Sequence, residues 1–287
     1  MKLIVHLGLH KTGSTWLQHL LNRNSRVLGA RGVHYEQQPG YPAHHHVAWA
    51  TLAGNGEPLA DMLAAAREAG RHTVIFSSED LEGVLFNPPI AALIEDIAAK
   101  EGVDSVEWHL CLRTPGAYFA SLHAQLQHHV YADPLAMFRE AMARGVIFIP
   151  EPLGADGTPY WFYCFDAYPF VAGFAERTQW PVVVHDYADA DPFPGWRMID
   201  ALGALDALIL QPGEEGRNKR LAGDAVVEGF VARVMETIAD EESRAAVEPL
   251  ARDAVLRGLE AVPVYAAALD RRFAQSHADT LAQFAPR

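Results

Sequence analysis

Lys11 lies in a loop bounded by Gly8 and Gly13, and Ser14 and Thr15 follow at once in the run LIVHLGLHKTGSTWLQHLL from Leu3 to Leu21. An ammonium, neighbouring hydroxyls and a glycine-bounded turn are the means of holding a phosphate or a sulfate. The flanks indicate how they are positioned. Leu3, Ile4, Val5 and Leu7 predict a short buried strand, and Trp16, Leu17, Leu20 and Leu21 recur at helical spacing. A strand that turns through such a loop into a helix aims successive N–H groups and the positive end of the helix dipole at one point. The stretch is therefore a phosphate cradle.

Three further groups have the right types to take part. Arg113 closes the apolar run Val106 to Leu112, and Ser121 follows eight residues later, in the second turn of the helix that Pro115 opens. Glu79 follows the run His72 to Ser77, which is suited to a strand buried on both faces. His44, His45 and His46 stand together after a Gly/Pro-rich loop, and imidazole titrates near neutral pH, as a general base should. Three adjacent histidines cannot all face one way. One of His45 and His46 is expected to meet a substrate, with Glu79 as the base or as the group that orients the substrate. A plain alternative for Glu79 is that Ser78 caps a helical turn opened by Glu79 and Asp80.

The elements around these residues alternate. A short extended piece is expected at Val33 to Tyr35 and a further strand at Pro181 to His185, with helices around Val47 to Ala53, Pro58 to Ala69 and Pro88 to Lys100. The first helix is expected to continue through Val27 and Leu28 until Gly29 and Gly32 end it. Apolar strands separated by helices predict an α/β fold, a central parallel sheet of about five strands flanked by helices on both sides. The chain is expected to be one domain, with the sheet core and nucleotide site in 1–190 and a mainly helical part in 191–287. The Pro/Gly-rich piece Phe148 to Pro159 is expected to loop over the site. In an open parallel sheet ligands gather beyond the carboxyl ends of the strands, which puts Arg113 beside the Lys11 loop.

The glycine spacing resembles a Walker A loop, but Ser14 stands where that motif has its lysine. With Lys11 inside the loop and Thr12-Gly13-Ser14-Thr15-Trp16 after it, the segment looks like the 5′-phosphosulfate loop of sulfotransferases that use 3′-phosphoadenosine 5′-phosphosulfate (PAPS). Their usual form is PKSGTTW, and His10 here replaces the proline. That family's second motif, an Arg at a strand end and a Ser eight residues on, matches Arg113 and Ser121. The resemblance implies a P-loop three-layer sandwich, PAPS as donor, 3′-phosphoadenosine 5′-phosphate (PAP) as product, and no metal. It implies that Lys11 neutralises the oxygen bridging phosphorus and sulfur, that Thr12, Gly13, Ser14 and Thr15 hold the 5′-phosphate, and that Arg113 and Ser121 hold the 3′-phosphate. Trp16 matches the indole that stacks on adenine, although a core tryptophan reads the same way. Tyr187 resembles a tyrosine that approaches the nucleotide, with Ala188 where the family has Glu. Arg217, Lys219 and Arg220, in GRNKR, resemble a basic loop that closes on the 3′-phosphate, or form a solvated turn. The implied acceptor is a hydroxyl or amine of a carbohydrate, lipid or small molecule.

Composition narrows the classes. A chain of 287 residues with a formal charge of −13 does not suit nucleic-acid binding over its whole surface, so no nucleic-acid partner is expected and any anion site is local. The acidity also favours a neutral or cationic acceptor over a polyanionic one. Two cysteines without a CxxC pair fit neither a disulfide framework nor zinc. No apolar run approaches the roughly 20 residues of a membrane span, and no leader pattern precedes the first strand, so a cytoplasmic protein is expected. Two alternatives stay open. One is a P-loop kinase or other phosphotransferase, for which no strand ends in the hydrophobic-run-plus-Asp pattern. The other is a nucleotide-binding protein without turnover.

Overall fold

The computed structural model describes residues 1–38, 40–150, 157–210 and 223–286. Five parallel strands form the central sheet: β1 (Lys2–Gly8), β2 (Val33–His34), β3 (Thr73–Ser77), β4 (Ser105–Leu112) and, counted after a hairpin described below, β7 (Val182–Asp186). Their order is β2-β3-β1-β4-β7, and every neighbouring pair is parallel. β1 lies in the middle because both of its faces are apolar. Leu3, Val5 and Leu7 enter one core with Phe76, Trp108, Leu63 and Phe174. Ile4 enters the other with Ile75, Leu17, Leu21 and Phe193. Alternation along the strand thus serves two helical layers at once.

Helices α1 (Ser14–Arg23) and α2 (Ser25–Ala30) cover one face. The expected single first helix is instead two. Asn24 interrupts it, turning its amide nitrogen to Leu20 O at 2.9 Å while its side-chain oxygen accepts from Ile209 N at 2.8 Å. A short side chain that hydrogen-bonds backbone competes with helix continuation. The other face carries α3 (His45–Leu52), α4 (Glu57–Glu68), α5 (Pro88–Lys100) and, later in the chain, α8 (Ala167–Ala175). A 3₁₀ turn, Glu79–Leu85, follows β3, with Ser78 accepting from Asp80 N at 3.3 Å.

A second body of helices grows on this sheet. Helices α6 (Pro115–Leu126), α7 (Pro134–Arg144), α10 (Gly223–Glu236) and the 44-residue α11 (Glu241–Phe284) share a core around Phe119, Phe230 and Phe273. A short α9 (Trp196–Asp200) lies with the α1 layer. Between α7 and α8 runs an antiparallel hairpin, β5 (Val146–Pro150) and β6 (Tyr160–Cys164). This corrects the expected loop from Phe148: Phe148, Ile149 and Pro150 pair with Phe162, Trp161 and Tyr160. Pro150 stands at the end of the pair, where a missing N–H is tolerated.

The connections set the site. β1 leads through α1 and α2 to one side of the sheet, and β4 leads through α6, α7 and α8 to the other. At neighbouring strands whose connections diverge, a crevice opens beyond the carboxyl ends. Among the described residues, no helix is long and apolar enough to cross a membrane.

Candidate functional site

The crevice between β1 and β4 receives the loop from Leu9 to Gly13. Gly8 has a φ of 89°, and a Cβ there would come within 2.8 Å of Glu79 Cα, so only glycine fits against the 3₁₀ turn. Lys11 itself holds a left-handed φ of 61°. Thr12 is buried and its hydroxyl donates to Leu9 O at 2.6 Å, while Ser14 reaches the same carbonyl at 3.4 Å. Thr15 is exposed. Gly13 opens α1 without a side-chain cap, which leaves the N–H groups of the first turn directed at the crevice.

Arg113 arrives from the end of β4. One guanidinium nitrogen donates to Lys11 O at 3.0 Å, and the guanidinium carbon lies 4.9 Å from the centre of the Tyr187 ring. Tyr187 follows β7, its N–H bound to Leu112 O at 2.8 Å, and its ring also borders Gly13. Lys11, Gly13, Arg113 and Tyr187 are thus brought to one place from three strands. Burial, together with the Arg113 charge, lowers the Lys11 pKa below its ordinary value against the pull of Glu79. Ser121 is half-buried in α6, and its hydroxyl makes no hydrogen bond among the described residues. Trp16 packs on Phe193, ring centres 4.7 Å apart, at the edge of the α1 core. Arg217, Lys219 and Arg220 lie outside the described residues.

No protein-family model, curated protein or solved structure matches the chain.

Next to the loop is a cavity of about 270 Å³. Tyr41, His45 and Trp49 line it on one side, Glu79, Asp80 and His10 line its base, and Leu122, Gln125, Leu126, His129, Thr158, Trp161 and Tyr163 complete it. Residues of segments 35–49 and 131–163 thus both line it, while helix α11 packs against α6.

The three histidines diverge. His44 is buried, accepting at Nδ1 from Ser77 N at 3.0 Å and lying 2.9 Å from Glu36 O through Nε2. Burial brings its pKa down to about 4. His45 faces the cavity. His46 is exposed, edge-on to Tyr41 and Trp49, and does not line the cavity. Glu79 accepts from Gln18 Nε2 at 2.8 Å and lies between the Lys11 loop and the cavity.

The residues around Glu82 were invisible in sequence. The Glu82 carboxylate is fully buried and accepts from His10 N at 3.0 Å, His10 Nδ1 at 2.8 Å, Tyr118 OH at 3.1 Å and Cys164 N at 2.6 Å. It therefore ties the Lys11 loop to α6 and to the β5–β6 hairpin. His10 also pairs with Asp80 at 3.4 Å. Burial opposes its charge, but Asp80 and Glu82 raise its pKa to about 10, so it is an imidazolium at neutral pH. The one signal the sequence offered was His10 where the resembled loop has proline. His6, four residues before His10, lies 2.8 Å from Ser77 Oγ through Nδ1. Among the described residues no group of three or more His, Cys, Asp or Glu is arranged to hold a metal ion.

Proposed function

We propose that the protein transfers a sulfuryl group from PAPS to a hydroxyl or amine of a small acceptor. The observation that carries this reading is the convergence of Lys11, Arg113 and Tyr187 on one crevice of an otherwise acidic chain, next to a cavity with polar groups at its base.

In this reading the first turn of α1 and the loop from Thr12 to Thr15 hold the 5′-phosphate. Lys11 meets the negative charge that grows on the bridging oxygen as its bond to sulfur breaks. Arg113, braced by Lys11 O and the Tyr187 ring, offers its other N–H groups to the 3′-phosphate, joined by Ser121. Trp16 and Tyr187 approach the adenine. Transfer is then a matter of position and charge stabilisation, as in phosphoryl transfer. The acceptor enters the cavity and gives its proton to a base there, Glu79 or His45.

A kinase would need an acid beside the loop to hold magnesium, and Glu79, which lies there, already accepts from Gln18 Nε2 at 2.8 Å. Asp186 ends β7 after Val182, Val183, Val184 and His185, but its carboxylate is turned to its own turn, accepting from Ala188 N at 2.8 Å.

Calorimetric titration with PAP, and separately with ADP and ATP in the presence of Mg²⁺, tests the reading on wild type and Arg113→Ala. Metal-independent binding of PAP is expected, weakened in Arg113→Ala by about 10- to 100-fold, the worth of hydrogen bonds to a charged group. Preference for ATP with Mg²⁺ and indifference to Arg113 would overturn it in favour of a kinase.

A further inference from the structure

Asp80 is a meeting point. Its Oδ1 pairs with His10 Nε2 at 3.4 Å, and its Oδ2 accepts from His45 Nδ1 at 3.1 Å and from Trp49 Nε1 at 2.7 Å. His10 gives its other ring N–H to Glu82. Glu82, His10, Asp80 and His45 thus form a chain in which carboxylates and imidazoles alternate, beginning beneath the Lys11 loop and ending at the cavity.

The order of partners decides the tautomer of His45. A carboxylate only accepts, so Nδ1 carries a proton and Nε2 is the atom left with a lone pair. Burial opposes the charge of Asp80, yet His10 and His45 hold its carboxyl well below the usual carboxylate range, so it stays anionic. Ser78 Oγ, 2.9 Å from Nδ1, and the Trp49 indole, stacked on the His45 ring with planes 17° apart, hold the ring in place. With Nδ1 turned back to Asp80 and Ser78, Nε2 is left on the cavity side. A carboxylate that fixes the tautomer and direction of an imidazole is the arrangement that proton-accepting histidines use. Glu79, in contrast, has an oxygen already held by Gln18, and His46 lies outside the cavity.

We propose that His45 Nε2 takes the acceptor's proton, that Asp80 is its positioning residue, and that His10 ties this dyad to the loop carrying Lys11. The inference rests on the sulfotransferase reading. In the step, the acceptor oxygen forms its bond to sulfur while the bond from sulfur to the bridging oxygen breaks. That electron pair stays on the bridging oxygen of the departing PAP beside Lys11, and the acceptor's proton goes to Nε2. The cavity, of about 270 Å³, has room for one ring-sized part of an acceptor beside His45.

The groups facing His45 are His10 from the loop, Ser78, Glu79 and Asp80 around the 3₁₀ turn, His44, Tyr41 and Trp49 from its own side, and His129 and Tyr163 across the cavity. Burial lowers its pKa, but Asp80 and Glu79 outweigh burial and leave it raised. The rate should therefore climb with pH on the alkaline side of the ordinary histidine value of about 6.5.

Because the acceptor is unidentified, the test uses water. PAPS is supplied alone, sulfate release is followed against pH for the full chain and for His45→Gln, Asp80→Asn and Glu79→Gln, and PAP binding is measured on each. Undiminished PAP binding, with sulfate release slowed about 10²-fold or more in His45→Gln, is expected. Asp80→Asn should be slower and should move the climb to lower pH, which loss of packing alone would not do. Unchanged release in His45→Gln, a climb abolished by Glu79→Gln instead, or a wild type that binds PAP without releasing sulfate would overturn the dyad and leave the donor site standing. A wild type that does not bind PAP would remove the sulfotransferase reading, and this inference with it.

Discussion

Arg113 reaches from the end of β4 to the carbonyl of Lys11, 3.0 Å away, while its face lies on Tyr187. The guanidinium braces the backbone of the residue whose ammonium would act on the sulfate. A strained backbone position is held by a cation that has four more N–H bonds to offer, out of the five a guanidinium carries. The Lys11 loop and Arg113 are therefore one mechanical unit.

Lys11 separates backbone from charge. Its φ of 61° belongs to the region glycine occupies without cost. Lys11→Gly should keep the loop, gain up to about 1 kcal/mol of stability by relief of strain, and still lose transfer by about 10²- to 10³-fold. Turnover of PAPS set beside thermal unfolding checks both halves. Transfer retained in Lys11→Gly would mean that the ammonium is not needed.

Glu82→Gln keeps the shape of the buried side chain but leaves the His10 imidazolium with one carboxylate fewer and adds a donor where four donors already converge. A loss of about 3–5 kcal/mol is expected, as for a buried charge deprived of its partner. Urea denaturation reads it directly. A loss no larger than that of a surface substitution would mean that the pair carries no stability.

Acid should destabilise the fold through buried histidines. Burial lowers His6, His44 and His123 to about 4 and His185 to about 3. A folded-state pKa below the unfolded value of about 6.5 gives stability that is complete above 6.5 and is lost as pH falls toward 4, since the unfolded chain binds the proton more tightly. His10 has the opposite sign. Its contribution is complete below about 6.5 and is lost as pH rises through 10. Denaturation midpoints measured across pH should peak between these limits; a midpoint unchanged down to pH 4 would contradict the assignment.

Gly116 marks where α11 docks on α6. Its N–H donates to Asp270 at 2.7 Å, and a Cβ there would run into Ala266 O and the Asp270 carboxylate. Gly116→Ala should cost about 1–3 kcal/mol through overpacking. Thermal unfolding measures it, and an unchanged midpoint would show that the two helices can separate slightly without loss.

Where a pattern is local, the sequence carried it. Four of the five parallel strands were legible because each is a nearly unbroken apolar run, and α5 matched at both ends. The β5–β6 pair was not, because proline and glycine between Phe148 and Pro159 obscured two aromatic strands that pair only with each other. The α1–α2 break escaped for a similar reason. Asn24 bends the chain with help from Ile209, 185 residues away, which helical spacing cannot report.

The sequence by itself determined the layered α/β fold, the loop that holds Lys11 and the place of Arg113 at a strand end, because glycine, strand and helix-start preferences act over a few neighbouring residues. Tertiary structure alone decided which polar side chains meet. His10 and Glu82 are 72 residues apart and are joined because β1 and β3 lie side by side. The docking of His44 on Ser77, at the end of β3, sets His45 against Asp80. A buried charge is tolerable only where its partners converge on it, and that convergence is a property of the packed fold, written in no single segment of the chain.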